Sequence, residues 1–317
     1  MNLVILDADT LGSHVNLHRF SDFGNLRIFG QTTKNERLAH IADANVIITN
    51  KVIIDKEIMD ACPNLKLLCL TATGMNNVDL PYAQRKGIAV TNAAGYSTHS
   101  VAQHTFALLL SLMHHTEYYN SYVWSKTYSR QPLFTHIQQG YPQLYGKTWG
   151  IIGLGAIGRA VAHIATAFGC NVCFYSTSGK NHASDYEEKS LHDLLATSDV
   201  VSIHAPLNEQ TLNLIAEKEL KTMKASAYLI NVGRGGIVNE ADLAQALAAG
   251  ELAGACLDVM QTEPLPETSP LLAENLREKV LITPHIAWIA NEAMDALMDI
   301  VYNHMKDFVV NCQTQVN

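Results

Sequence analysis

The chain has 317 residues, of which 48% are hydrophobic and 16% charged, and its formal net charge at pH 7 is -8. This length is comfortable for two domains, and the composition is ordinary for a globular enzyme. The negative charge, without a cluster of Lys and Arg, argues against a nucleic-acid partner. No apolar run is long enough to span a bilayer and the N-terminus does not resemble a signal peptide, so we expect a cytoplasmic protein with no membrane partner.

The first hundred residues alternate between short apolar strands and helical or polar segments. We predict helices near 35–42 and 55–61, and strands at 3–7, 26–29, 46–49, 65–70 and 88–91. Alternating strands and helices indicate a parallel sheet covered on both faces. Ligands of such sheets lie beyond the carboxyl ends of the strands, where the loop 71–76 follows the fourth strand. Its small residues suit a carboxylate, although these residues alone favour an ordinary turn.

A long apolar helix and a polar, aromatic segment separate this sheet from the next one. The helix is predicted over 99–114, and its apolar sides indicate that it is buried or lies at an interface. Residues 116–147 carry eight Tyr, Trp and Phe side chains. An arm with so many aromatic residues favours a contact between subunits.

Residues 148–158 contain the pattern around which the second half of the chain is built. A short apolar strand, 148–152, leads directly into Gly153-Leu154-Gly155-Ala156-Ile157-Gly158, and a helical pattern follows to residue 168. Gly153 allows the tight turn, Gly155 lets a pyrophosphate approach the backbone, and Gly158 lets the helix lie close to the strand. Because the strand and helix are in the required places, the pattern predicts a dinucleotide site at the helix N-terminus.

Strands and helices then continue to alternate toward the end of the chain. Helices are predicted near 156–168, 190–197, 215–222 and 240–249, and strands at 148–152, 171–175, 200–203, 227–231, 254–258 and 280–282. Six parallel strands are typical of a complete Rossmann sheet. The tail, 292–310, has the pattern of an amphipathic helix, which we expect to pack on the first domain. Cys170 and Cys173 form a C-x-x-C without a second pair of ligands nearby, so we predict no metal site.

Three charged or titratable residues directly follow neighbouring strands of this second sheet. Arg234 lies between glycines, where it is suited to binding a carboxylate with two parallel hydrogen bonds. Glu263 and His285 follow the next two strands and form a plausible acid–base pair. Singly, each has an ordinary explanation: a residue at a helix entry for Arg234, a loop turn for Glu263, and a core histidine for His285.

The motifs GLGAIG, NVGRGG, LDV…EP and TPHIA, in this order and spacing, resemble the D-isomer-specific 2-hydroxyacid dehydrogenases over essentially the whole chain. Within that family the glycerate dehydrogenases, also called hydroxypyruvate reductases, are the most similar group. The resemblance implies two Rossmann-like α/β domains with doubly wound parallel sheets and the active site in the cleft between them. A flavodoxin-like substrate domain comprises 1–98 and 290–317. The dinucleotide-binding domain, 99–289, includes the long helix and the dimerisation arm (99–147) of a homodimer.

The resemblance also implies a role for individual residues. The catalytic set is Arg234, Glu263 and His285, and the substrate is bound by Arg234 with Ala72, Thr73, Gly74 and Met75. The cofactor contacts, together with the glycines Gly153 and Gly158 of the motif, are Gly155, Ala156, Ile157, Ser176, Ala205, Pro206, Thr211, Val232, Gly233, Arg234, Asp258 and His285. The implied reaction is the NAD(P)H-dependent reduction of a small 2-oxoacid to a D-2-hydroxyacid, with hydroxypyruvate as the expected substrate and glyoxylate as the secondary one.

One position departs from the NAD-specific pattern. Such folds place Asp or Glu at the end of the second strand to bind the ribose 2′-hydroxyl, whereas this chain has Ser176, followed by Thr177, Ser178 and Lys180. We therefore expect NADPH to be accepted. Two alternatives stay open. One is another enzyme of the family, such as one like phosphoglycerate dehydrogenase, and the other is a non-catalytic corepressor that senses dinucleotides.

Overall fold

The computed structural model describes residues 1–179 and 185–314, apart from the side chains of 311–314. The chain divides into two compact units, one formed by Met1–Ser97 with Trp288–Asn317 and the other by Thr98–Ala287. These boundaries differ by one or two residues from those drawn on the sequence, 1–98 with 290–317 and 99–289. None of the helices in the described ranges is long and apolar enough to cross a membrane.

The first unit is built on a five-stranded parallel sheet. Its strands are β1 (Asn2–Ile5), β2 (Asn25–Ile28), β3 (Val46–Thr49), β4 (Leu67–Leu70) and β5 (Ala89–Asn92). They lie in the order β2-β1-β3-β4-β5 and all pair in parallel. This is the flavodoxin-like order, whose ligands bind at the carboxyl ends of the strands. The helices of this unit are α1 (Arg37–Ile41), α2 (Lys56–Ala61), α3 (Leu80–Lys86) and α10 (Asn291–Thr314).

The two faces of this sheet carry separate apolar clusters because successive side chains of a strand point to opposite faces. Val4 and Ile47 belong to the cluster that contains residues of α1, α2 and α3. Ile5 and Ile48 belong to the opposite cluster, which contains Met298 and other residues of α10. Helix α10, which the C-terminal tail forms, therefore packs on this face of the first sheet.

The second unit is built on a larger parallel sheet. Its strands are β6 (Thr148–Ile152), β7 (Asn171–Tyr175), β8 (Glu187–Glu188), β9 (Val200–Ile203), β10 (Tyr228–Asn231), β11 (Gly254–Leu257) and β12 (Val280–Ile282). The order is β12-β11-β10-β9-β6-β7-β8, with every pairing parallel. The prediction of six strands was wrong by one. Because β8 has only two residues, both exposed glutamates, it lacks the apolar pattern that identified the others.

Six α-helices among the described residues complete the second unit. They are α4 (Thr98–Met113), α5 (Thr116–Trp124), α6 (Ala156–Ala167), α7 (Leu191–Thr197), α8 (Glu217–Thr222) and α9 (Glu240–Ala249). Helix α4 is buried against the sheet, and the rings of Phe106 and Trp149 lie 4.6 Å apart between their centroids. No residue of α5 is buried. Helix α4, which was predicted from the sequence as part of the segment between the two sheets, is thus a core element of the second unit.

Candidate active site

The glycine loop between β6 and α6 has the geometry that its three glycines predict. Gly153 has a φ of 91°, and a Cβ there would lie 2.9 Å from the Ala205 nitrogen. A Cβ on Gly158 would lie 2.3 Å from the Gly153 oxygen, so only glycine lets α6 approach the strand this closely. A Cβ on Gly155 would meet no described heavy atom within 4 Å. The structure thus leaves room at Gly155 for a pyrophosphate to approach the backbone.

Helix α6 begins directly after this loop and presents its N-terminus to the same space. Gly155 occupies the N-cap position, and no side chain in the described ranges caps the helix. The first N–H groups of a helix lack intrahelical partners and carry a partial positive charge. The loop and the helix therefore fit the phosphates of a dinucleotide, with Ala156 and Ile157 in the first turn.

The loops after β10 and β11 are in direct backbone contact. A Cβ on Gly235 would lie only 1.9 Å from the Met260 oxygen. The residue at this position must be glycine for the loop of Arg234 to lie against the loop of Glu263. Since β10, β11 and β12 are neighbours in the sheet, all three predicted catalytic residues follow adjacent strands at its carboxyl edge.

Arg234 is held by a small turn that the sequence interpretation did not identify. Asn231, which is buried at the end of β10, donates from Nδ2 to the Arg234 oxygen (2.9 Å) and accepts the Gly233 N–H at Oδ1 (3.1 Å). The Arg234 guanidinium donates from Nη1 to the Gly233 oxygen (2.7 Å). An Asn at a strand end followed by glycines is a signal for such a turn.

Glu263 and His285 form a direct pair. Glu263 Oε2 lies 2.9 Å from His285 Nδ1, and Glu263 Oε1 accepts the Met260 N–H (3.1 Å). The two side chains are 33% and 21% exposed, so the pair is only partly accessible to water. Because Nδ1 faces the carboxylate, it carries a proton and the other ring nitrogen, Nε2, is the one that can exchange a proton with a ligand.

The backbone of His285 is strained, and Asp258 holds it from both sides. The φ of His285 is 57°, in the left-handed region, which costs a residue other than glycine about 1–2 kcal/mol. Asp258 is fully buried, and its Oδ1 accepts the Thr283 hydroxyl (2.6 Å) and the Ile286 N–H (2.8 Å). Its Oδ2 accepts the Ala287 N–H (2.9 Å). The resemblance gave Asp258 as a cofactor contact, and sequence reasoning missed this clamp.

The electrostatics of Asp258 follow from these contacts. Burial alone raises the pKa of the Asp258 carboxyl, but hydrogen bonds from His104, Thr283 and the two N–H groups outweigh it. Together they hold the pKa below its ordinary value of 3.8. Asp258 is therefore an anion under all ordinary conditions, fixed beneath the histidine loop.

Ser176 follows β7 next to the glycine loop, since Tyr175 accepts the Gly153 N–H (3.0 Å). The Ser176 hydroxyl is buried and has no hydrogen-bond partner among the described residues. Buried hydroxyls without partners are rare, and a ligand hydroxyl or phosphate would satisfy this one. The structure fits a dinucleotide here, whereas the predicted contribution of Lys180 lies outside the described residues.

The remaining predicted residues have contacts within their own units. Thr211 is fully buried and donates its hydroxyl to the Pro206 oxygen (2.7 Å), which closes the loop that begins at Ala205. Val232 is buried in the core beneath the Arg234 turn. In the first unit the Thr73 hydroxyl donates to the Ala93 oxygen (2.8 Å), which fixes the loop after β4. Ligand contacts by Thr211, Val232 and the loop residues Ala72, Thr73, Gly74 and Met75 stay predictions.

The described residues fit neither a reactive cysteine site nor a metal site. Cys170 and Cys173 are buried, and burial raises the pKa of both thiols, which keeps them protonated and unreactive. Within the described ranges, no group of three or more His, Cys, Asp or Glu side chains is placed to hold a metal ion.

Comparisons with known proteins agree with this geometry. The family model described as D-isomer specific 2-hydroxyacid dehydrogenase, NAD binding domain, matches residues 106–287. A hydroxypyruvate reductase of Blautia hydrogenotrophica is 35% identical over 98% of this chain and 97% of its own.

Two solved structures are similar over nearly the whole chain. D-lactate dehydrogenase of Aquifex aeolicus, complexed with NAD and lactic acid, is 27% identical with a TM-score of 0.83, covering 100% of this chain and 97% of its own. An NADPH-dependent glyoxylate/hydroxypyruvate reductase of Sinorhizobium meliloti, in complex with NADP and malonate, is 26% identical with a TM-score of 0.80, covering 97% and 93%. The chain thus belongs to the family of D-isomer-specific 2-hydroxyacid dehydrogenases, oxidoreductases that use a nicotinamide dinucleotide to interconvert 2-oxoacids and D-2-hydroxyacids.

Proposed function

We propose that this protein reduces hydroxypyruvate to D-glycerate and uses glyoxylate as a secondary substrate. The observation that carries the proposal is the Glu263–His285 pair, with 2.9 Å between Oε2 and Nδ1, beside the loop that holds Arg234. The similarity to a hydroxypyruvate reductase over nearly the whole chain supports the choice of substrate. The similarity to a glyoxylate/hydroxypyruvate reductase of known structure supports it as well.

The three residues divide the chemistry between them. The reduced nicotinamide, when bound, supplies a hydride to the carbonyl carbon of the substrate. Arg234 binds the substrate carboxylate and stabilises the negative charge that develops on the carbonyl oxygen. His285 donates the proton that this oxygen needs, from Nε2, and Glu263 orients the ring.

The loop after β4 supplies a second contact in this proposal. The backbone N–H groups of residues 72–75 bind the substrate carboxylate, as anions are commonly bound by successive N–H groups. The end of β5 holds this loop, since Asn92 Nδ2 donates to the Thr73 oxygen (2.7 Å) and the Ala93 N–H to the Ala72 oxygen (3.0 Å).

For the cofactor, we propose that NADPH is accepted at least as well as NADH. No acidic side chain stands at position 176 to repel a 2′-phosphate, and the buried Ser176 hydroxyl lacks a partner among the described residues. A hydroxyl can donate to a phosphate oxygen. The complex of the similar Sinorhizobium meliloti enzyme with NADP supports this choice.

We also propose that the protein is a homodimer joined through α4 and the arm that follows it. Large apolar side chains of the arm are exposed: Val123, Trp124, Tyr128, Leu133, Phe134, Ile137, Tyr141 and Tyr145. Exposed apolar side chains gathered in one segment of a chain favour an interaction site.

The proposed reaction is tested by following absorbance at 340 nm with each reduced cofactor and a panel of 2-oxoacids. We expect kcat/KM to be highest for hydroxypyruvate, lower for glyoxylate and poor for pyruvate. If pyruvate were reduced ten times more efficiently than hydroxypyruvate, the assignment of the substrate would be wrong. If no 2-oxoacid were reduced while NADPH still bound, the corepressor alternative would be favoured.

A further inference from the structure

Helix α4 contacts the loop of His285 through two polar side chains. The Ser100 hydroxyl donates to the Ala287 oxygen (2.6 Å), and His104 Nε2 lies 3.0 Å from the Thr283 hydroxyl. Ser100 and His104 are four residues apart and therefore lie on the same face of the helix. Thr283 and Ala287 lie on either side of His285, so a single face of α4 contacts both ends of the catalytic loop.

The direction of the hydrogen bond between His104 and Thr283 follows from its neighbours. The Thr283 hydroxyl lies 2.6 Å from Asp258 Oδ1, and a carboxylate can only accept. The single hydroxyl proton is therefore donated to Asp258, and Thr283 must accept from His104. Nε2 of His104 thus carries a proton, and it also lies 3.5 Å from Asp258 Oδ1.

This chain of hydrogen bonds ends at the strained backbone of His285. Asp258 accepts the N–H groups of Ile286 and Ala287, the two residues directly after His285. A positive φ at a residue other than glycine persists only where the surroundings hold it in place. Residues 283, 286 and 287 are all held by one carboxylate, and that carboxylate is oriented by the hydroxyl to which His104 donates.

We infer that His104 is a positioning residue for the proton transfer by His285. It acts through Thr283 and Asp258: its N–H is donated to the Thr283 oxygen and holds that hydroxyl in place to donate to Asp258. The inference rests on the proposed function, since the position of His285 affects the rate only if this imidazole donates the proton. A displacement of about 1 Å at a reacting group costs on the order of a hundredfold in rate.

The test compares His104→Leu with His104→Gln, because the Gln amide can donate a hydrogen bond at nearly the reach of Nε2 and Leu cannot. For His104→Leu we expect kcat to fall by about tenfold to a hundredfold, with the KM for NADPH within about twofold of wild type. His104→Gln is expected to keep kcat within about threefold. Equal losses in both variants would show that the shape of the ring matters rather than its N–H, and an unaffected Leu variant would overturn the inference.

A second measurement does not depend on the substrate. Amide hydrogen exchange of the segment 284–288, measured on the full chain without cofactor, is expected to be at least tenfold faster in His104→Leu and near wild type in His104→Gln. His99→Leu, an exposed histidine on the same helix, is the matched control and should change neither measurement. If hydroxypyruvate is not a substrate, the exchange result still decides the inference, and the kinetic comparison uses the best 2-oxoacid found.

A double-mutant cycle tests whether His104 acts through Thr283. Thr283→Val removes the hydroxyl with little change in shape, and we expect it to lower kcat about as much as His104→Leu does. The double variant should be no slower than the slower single variant, since both changes break the same chain of hydrogen bonds. Losses that multiply would contradict a path through Thr283.

Discussion

His285 Nδ1 lies 2.9 Å from Glu263 Oε2, although 22 residues separate the two in the chain. The pair forms because β11 and β12 are neighbours, so that the loops at their carboxyl ends meet. The other oxygen of Glu263 accepts the Met260 N–H, which fixes the plane of the carboxylate. Because Nδ1 faces this carboxylate, Nε2 is the ring nitrogen that would exchange a proton with a substrate in the proposed reaction.

The first prediction concerns this pair. Glu263→Gln replaces the anion by a neutral amide of the same shape. The Glu263 carboxylate holds the imidazole of His285 in the orientation from which it can protonate the substrate oxygen. We expect kcat/KM for 2-oxoacid reduction to fall. Glu267→Gln, an exposed glutamate nearby, is the control, and an unchanged kcat/KM in Glu263→Gln would mean that Glu263 has a structural role alone.

The second prediction concerns Asp258. Asp258→Asn places an amide group against N–H donors, and a buried donor without an acceptor costs about 1–3 kcal/mol in the free energy of unfolding. The pKa of this carboxyl is lower in the folded protein than its ordinary value of 3.8, so the stabilisation is complete above about pH 5 and is lost as the pH falls below 3.8.

Denaturant unfolding of wild type and Asp258→Asn at several pH values checks this prediction. The difference between the two proteins should be largest near neutral pH and should shrink in acid. Asp295→Asn, on the exposed side of α10, should show no such difference. If the difference in the free energy of unfolding between the two proteins stayed constant down to pH 3, a contribution from the charge of Asp258 would be excluded.

The sequence predicted those parts of the molecule in which a local pattern of residues corresponds to a functional element. The strand, glycine loop and helix at 148–167 were predicted because β6 is an apolar run and each glycine has a distinct steric role. Arg234, Glu263 and His285 were found because each directly follows a predicted strand. That their loops lie side by side depends on the order of the strands in the sheet, which a Rossmann pattern implies.

The sequence could not indicate features that arise from distant contacts. The clamp on the His285 loop joins Asp258 to residues 25–29 positions later, and His104 contributes from a helix that precedes both. No spacing of residues in the sequence predicts such contacts. Strand β8 was missed for a different reason, since two exposed glutamates that pair at the edge of a sheet show no apolar pattern.

The third prediction separates the role of Gly155 from that of Gly158. Gly155 has an ordinary φ of -79° and its Cβ would meet no described atom, so Gly155→Ala should change the free energy of unfolding by no more than about 1 kcal/mol. Its affinity for NADPH should fall at least tenfold, because the methyl group would occupy the place of the pyrophosphate. Gly158→Ala should instead destabilise the protein by about 1–3 kcal/mol. Thermal unfolding and fluorescence titration with NADPH distinguish the two, and unchanged NADPH binding by Gly155→Ala would contradict the site.

The fourth prediction concerns the arm. Trp124 and Phe134 are 79% and 89% exposed, respectively, and replacing both by Ser should convert the proposed dimer into a monomer by removing apolar contact area. Light scattering after size-exclusion chromatography measures the mass. Ile53→Ser, at another exposed apolar residue, should leave the mass unchanged. A wild-type protein that is monomeric at micromolar concentration would contradict the proposal directly.

The last prediction concerns the choice of cofactor. In NAD-specific folds an acidic side chain after the second strand binds the ribose 2′-hydroxyl and repels a 2′-phosphate. This chain has Ser176 there, a buried hydroxyl without a partner among the described residues, next to the glycine loop that suits the pyrophosphate. Such a hydroxyl can donate to a phosphate oxygen but cannot exclude it. We expect kcat/KM for NADPH to be at least equal to that for NADH.

Ser176→Asp should then swing this preference toward NADH, because a carboxylate placed against a phosphate introduces a repulsive contact of about 1–3 kcal/mol, or roughly tenfold to a hundredfold in the ratio of kcat/KM values. Ser178→Asp, two residues further along the same loop, is the matched control and should change the ratio less. Steady-state rates with both reduced cofactors decide the matter. A wild-type preference for NADH of a hundredfold or more would mean that another group excludes the 2′-phosphate, and the absence of an acid at 176 would then have no bearing on the choice.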